Sequence, residues 1–102
     1  MAAYQSLRLG TLRDLRGFVK QTLCHSNYLQ EDQFPMAERV LLRGGRPQGV
    51  LFWISGPRQV RLTAIWDADR REVLFYDSAG ERYLVVRLDE APILPNDCEE
   101  AA

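Results

Sequence analysis

Apolar residues recur along this chain with two periods, three to four residues near the start and two over most of the remainder. Leu12, Leu15, Val19 and Leu23 follow one another at spacings of three and four, the pattern that lines one face of an α-helix. Thr11 stands before them with Asp14 three positions on, a capping box with Asp in place of the usual Glu or Gln. The spacing predicts a helix from Leu12 to about Asn27. Phe18 widens the apolar stripe. Gly17, a residue that costs about 1 kcal/mol in a helix interior, is expected where another backbone comes close. Arg13, Arg16 and Lys20 gather on the far side.

Residues 26–37, SNYLQEDQFPMA, mix polar and aromatic side chains around Pro35, and proline forbids a continuous helix through them. They read as a connection. Residues 38–43, 50–55, 59–66, 72–76 and 82–88 then form short runs rich in β-branched and aromatic side chains, which predicts five strands. The separators GGRPQG, SGPR, DADRR and DSAG are short enough for hairpins, so consecutive strands pair antiparallel. The expected fold is α+β: one N-terminal helix packed on a five-stranded antiparallel meander over residues 1–90, then a mobile acidic C-terminal tail over 91–102. Tyr4, Leu7 and Leu9 offer a further edge strand. Four- and five-residue connections at DADRR exchange the faces of Val73 and Leu74, and the pattern leaves both open.

One helix followed by an antiparallel meander resembles, in shape, the cystatin-like and helix-grip domains, in which a helix lies across a curved sheet. Their motifs do not accompany the shape; GVLFWISG is unlike the cystatin loop. A likeness of shape implies a fold and no function.

The run VLFWI, residues 50–54, is apolar at every position, so alternation does not say which side of this strand is inward. With a connection of two or four residues centred on Gly56-Pro57, Trp53 lies opposite Val60 and Leu51 opposite Leu62, and opposed residues share a face. One face then gathers Leu51, Trp53, Val60, Leu62, Ala64 and Trp66 and receives the helix. The other keeps Val50, Phe52, Ile54 and Ile65 beside Gln59, Arg61 and Thr63. Leaving those four in water would forgo about 1.5–3 kcal/mol each. Cover is expected from the connection through Phe34 and Met36, from the tail through Ile93 and Leu94, or from another protein. Phe52, Ile54, Arg61 and Ile65 are therefore the candidate binding residues for a protein partner, a homodimer foremost.

Composition narrows the alternatives. With 102 residues, 46% hydrophobic and 26% charged, the chain can build one core without a disulfide or metal. A net charge of −1 creates no overall field for nucleic acid; Arg13, Arg16 and Lys20 carry that alternative on their own. Trp53 and Trp66 carry another, a small apolar ligand held in a pocket between helix and sheet. The N-terminal MAAYQSLRLGTLRDLRGF has arginines where a secretory signal would be apolar, so a cytoplasmic location is expected, and the two cysteines, Cys24 and Cys98, are expected as reduced thiols. The five apolar residues at 50–54 fall far short of the roughly 20 that cross a bilayer.

Catalytic chemistry finds little support. The single histidine, His25, follows Cys24 directly, and adjacent helical side chains diverge by about 100°, so the two do not form a nucleophile and its base. One histidine and two distant cysteines lack the spacing of a zinc site. In WDADRRE the acids Asp67, Asp69 and Glu72 fit turn chemistry better than a calcium loop, and GGRPQG matches no phosphate-binding spacing. The expectation is a small non-enzymatic protein-interaction module, self-associating through a sheet face, with no catalytic residue, cofactor, metal or membrane contact.

Overall fold

The computed structural model describes residues 10–30, 33–89 and 92 in full and residues 3–7 as backbone. Helix α1 spans Leu12–Ser26. Its N-terminus forms where the sequence places it, with the Asp14 amide donating to Thr11 Oγ1 at 3.0 Å, which satisfies one of the first-turn donors that the helix itself leaves unpaired. At the other end the Tyr28 amide donates to the His25 carbonyl at 3.4 Å and the Leu29 amide to the Cys24 carbonyl at 2.8 Å. This pair of bonds is the Schellman motif. The residue at its turning point usually is glycine, yet here it is Tyr28, with φ of 58° and a side chain 96% exposed.

The strands are β1 (Ala3–Leu7), β2 (Met36–Arg43), β3 (Arg46–Ser55), β4 (Arg61–Asp67), β5 (Glu72–Tyr76) and β6 (Arg82–Leu88). They form one sheet in the order β1-β6-β5-β4-β3-β2. Strands β2 to β6 make the expected antiparallel meander, and β1 adds itself to the β6 edge in parallel. Because β1 and β2 occupy opposite edges, α1 carries the chain from one side of the sheet to the other and lies over a single face. The acidic tail falls outside the described residues except for Pro92, which is buried. Among the described residues no helix is long and apolar enough to cross a membrane.

Turn chemistry sets the register. Gly44 and Gly45, with φ of 60° and 79°, make a two-residue turn that joins the paired Arg43 and Arg46, and positive dihedrals at both positions match the twist of the strands on either side. Asp67 Oδ1 accepts from the Asp69 and Arg70 amides at 3.1 and 3.3 Å, holding a four-residue connection that pairs Asp67 with Glu72. Asp77 Oδ1 accepts from the Ala79 and Glu81 amides, both at 2.9 Å. Between β3 and β4 the chain takes a 3-10 turn at Pro57–Gln59, and Ser55 pairs with Arg61.

That last pairing corrects the expected faces. A connection through residues 56–60 has odd length, so Trp53 opposes Thr63 and Leu51 opposes Ile65, and the whole of β3 turns over relative to an even connection. Val50, Phe52 and Ile54 lie with Leu62, Ala64 and Trp66, all 0–2% exposed. Beneath them sit Leu15, Val19 and Leu23 of α1, joined by Val73, Phe75, Val86 and Leu88. Phe34 and Met36 pack half-buried against this core, on the helix side of the sheet and not over a face the helix leaves open. Arg16 of α1 reaches Glu38 of β2 with two bonds, Nε to Oε1 at 2.6 Å and Nη2 to Oε2 at 2.8 Å, which pins the helix to the β2 side of the sheet.

Two glycines behave differently from one another. Gly17 is exposed and no other group comes within 4 Å of the position a Cβ would take, so the expected close approach does not occur there. It occurs at Gly49, where a Cβ would run into the Trp66 carbonyl oxygen. Replacing Gly49 by alanine must push β3 and β4 apart and should cost about 1–3 kcal/mol or more. Tyr28→Gly should act in the opposite direction, relieving a left-handed backbone and adding about 1 kcal/mol. Urea unfolding of the two variants beside the parent chain measures both; a neutral Gly49→Ala would mean that the strands close together with room to spare.

Candidate functional site

Alternation that sends Val50, Phe52 and Ile54 under α1 sends Leu51 and Trp53 to the outer face. The register sets Leu51 beside Ile65, Leu74 and Val85 in one row across four strands, with Trp53, Thr63 and Tyr76 in the next. All seven are half-buried, and none of the hydrophobic ones among them packs against the core. Helix α1, the only helix longer than a single turn among the described residues, lies on the other side.

Charge flanks this apolar centre unevenly. Arg61 stands at one end of β4, its guanidinium 4.8 Å above the Trp53 ring, a cation–π contact that is worth about 0.5–1 kcal/mol at an exposed site. Asp67 stands at the other end. Its Oδ1 is committed to the turn amides, and beside it lie the paired Glu72 and Arg87 of β5 and β6. Exposed Arg39 marks the β2 side. At the Asp67 end the surface is hollowed into a recess of about 420 Å³ lined by Leu41, Gly49, Ile65, Asp67, Asp69 and Arg70, among others. Gly49 lies in the wall of this recess, where the Trp66 carbonyl occupies the place a Cβ would take.

The residues expected at the site divide between the two faces. Phe52 and Ile54, expected to face a partner, are wholly buried in the core, and the odd connection at 56–60 is the physical reason. Arg61 and Ile65 lie on the outer face. Trp53 and Trp66, expected to line a pocket between helix and sheet, are on opposite faces: Trp66 is buried under α1 with its indole nitrogen unpartnered, while Trp53 is outside. A pocket holding both is geometrically excluded. The open space beside the helix is a different groove of about 390 Å³, lined by Phe18, Thr22, His25, Ser26, Leu84 and Val86. Tyr83 approaches its end near Ser26 and Asn27, and burial raises the phenol's pKa.

Of the three basic residues on the helix, Arg13 is exposed, Lys20 is half-buried, and Arg16 is engaged with Glu38, whose hydrogen bonds raise its pKa. The contiguous patch is thereby reduced. Cys24 is buried and His25 exposed, so the two do not face one another; Cys98 lies outside the described residues. Among the described residues no three His, Cys, Asp or Glu side chains gather in a metal-binding group.

Leu51, Leu74, Tyr76 and Val85 are outer-face residues that the sequence pattern did not single out. A usable signal was present in β4, where Arg61 and Thr63 alternate with Leu62, Ala64 and Trp66 and mark the inward side without help from the turn. Strand β3 carries no such mark. The two faces should respond oppositely to charge: Phe52→Asp should abolish cooperative folding, since it places an unpaired carboxylate in the core, whereas Ile65→Asp should leave a folded chain within about 1 kcal/mol of the parent. Circular dichroism with thermal unfolding separates them, and comparable losses from both would contradict the assignment of faces. No family model matches this sequence, and comparison with curated proteins and with solved structures likewise found no match.

Proposed function

We propose that the chain is a small non-enzymatic interaction module that self-associates through the outer face of its sheet, in the cytoplasm. One observation carries this reading: Leu51, Trp53, Ile65, Leu74 and Val85 form a contiguous apolar patch with no described element packed over it. Complete burial of such side chains yields about 1.5–3 kcal/mol each. Covering what remains exposed of five half-buried ones contributes a fraction of that from each copy. Arginine and tryptophan together, as in the Arg61–Trp53 pair, belong to the side chains that dominate the energy of protein interfaces.

Size is compatible with this role. The molecule measures 35 × 29 × 22 Å, and a sheet face set by the two longer dimensions has room for the roughly 800 Å² per partner of a standard interface. Sheets that pack face to face stay within about 30° of alignment, with their side chains interdigitating. A patch of aliphatic and aromatic residues spread over four neighbouring strands meets that requirement.

Sedimentation equilibrium at micromolar concentration tests the reading. The parent chain should be dimeric, and Ile65→Asp should be a folded monomer. A parent chain that stays monomeric, or an Ile65→Asp variant that dimerises as well as the parent, would remove the outer face from consideration.

A further inference from the structure

Resting on the self-association reading, we infer a specific geometry for the pair: the second copy docks with its β4 running antiparallel across the first, so that the Trp53–Arg61 pair of each copy enters the recess at Gly49, Ile65 and Asp67 of the other. The outer residues of β4 are Arg61, Thr63, Ile65 and Asp67. Their ends carry opposite charge and are equidistant from Ala64. Self-complementarity is built into one strand.

A face can be stacked on itself by a two-fold axis in two limiting ways, and the interface is isologous in both. An axis along the strands keeps each end of β4 over the same end of its mate, Arg61 near Arg61 and Asp67 near Asp67. Like charges brought together in an interface oppose association. An axis across the strands, at the level of Ala64, exchanges the ends and brings Arg61 to the second copy's Asp67 twice. Charge selects the second arrangement.

Shape favours the same choice. The axis that exchanges Arg61 with Asp67 also exchanges Trp53 with Leu51, Tyr76 with Leu74, and Ser55 with Gly49. The ring and guanidinium stacked at one end of β3 and β4 therefore meet the recess of about 420 Å³ at the other. Asp67 remains able to accept a bond there, because the turn amides use only its Oδ1. Arg43 and Arg70 also line the recess, so it is not an acidic well. Its recognition of arginine depends on Asp67 lying in line with Arg61 across the axis.

Charge exchange tests this geometry by sedimentation or by native mass spectrometry of the full chain. Arg61→Asp and Asp67→Arg should each weaken self-association about tenfold or more, since each removes two symmetry-related pairs. An equimolar mixture of the two should form a heterodimer of near-parental affinity, and the chain carrying both changes should recover the homodimer. Asp67→Asn, which keeps an oxygen acceptor for the turn, must weaken association as well and guards against a folding defect in Asp67→Arg. If the parent dimerises but the single changes leave its affinity unaltered, or the folded single variants do not pair with one another, this geometry is wrong while self-association stands. A monomeric parent removes both.

Discussion

Ser55 pairs with Arg61, and the odd connection between them decides which half of β3 meets the helix. Each strand has only two faces, so this one register admits no intermediate answer. Val50, Phe52 and Ile54 enter the core opposite Trp66, Ala64 and Leu62, and Leu51 and Trp53 are thereby left outside. The turn that enforces the parity is strained, since Arg58 and Gln59 both hold positive φ, 60° and 61°. Two bonds across it, Gly56 amide to Val60 carbonyl at 2.7 Å and Val60 amide to Pro57 carbonyl at 3.3 Å, hold the chain in that shape. Phe52 and Ile54, fully buried behind this turn, each contribute about 1.5–3 kcal/mol, the same order as the strain of two left-handed residues.

The remaining architecture adapts to that choice. Helix α1 crosses the inner face and is capped at each end, by Thr11 and by the bonds to the Cys24 and His25 carbonyls, while Arg16 and Glu38 tie its flank to β2. Gly49 permits β3 to approach the Trp66 carbonyl, and Trp66 fills the core on the inner side.

Among the described residues, a two-layer arrangement of six strands and one long helix has an inherent imbalance, since the helix shelters only one face. Polar side chains on the second face would remove the difficulty, and this chain places Thr63, Arg61 and Asp67 there. Leucine, isoleucine, valine and tryptophan occupy the middle of the same face. An apolar centre bounded by charge is the arrangement found in interfaces, with a dry core and a polar rim. The physical basis of the proposed self-association is this composition, and it survives the exchange of faces because both sides of VLFWI are apolar.

The helix, its capping residues and all five strands of the meander were legible from residue order alone, because their signals are local. Spacings of three and four in Leu12 to Leu23, Thr11 three residues before Asp14, and alternation bounded by glycine and aspartate are each complete within one turn or one strand. Arg61 and Ile65 were legible as outer residues because β4 alternates cleanly. Phe52 and Ile54 were misplaced because nothing within VLFWI distinguishes its faces, and the length of a hairpin containing Gly56 and Pro57 is not encoded by those two residues. Pairing of Arg16 with Glu38, the parallel placement of β1 against β6, and the recess at Gly49 join residues far apart in sequence. Local chemistry determined which segments became helix and strand; only three-dimensional packing, which must satisfy every register at once, decided which of the two equally apolar sides of VLFWI would meet the helix.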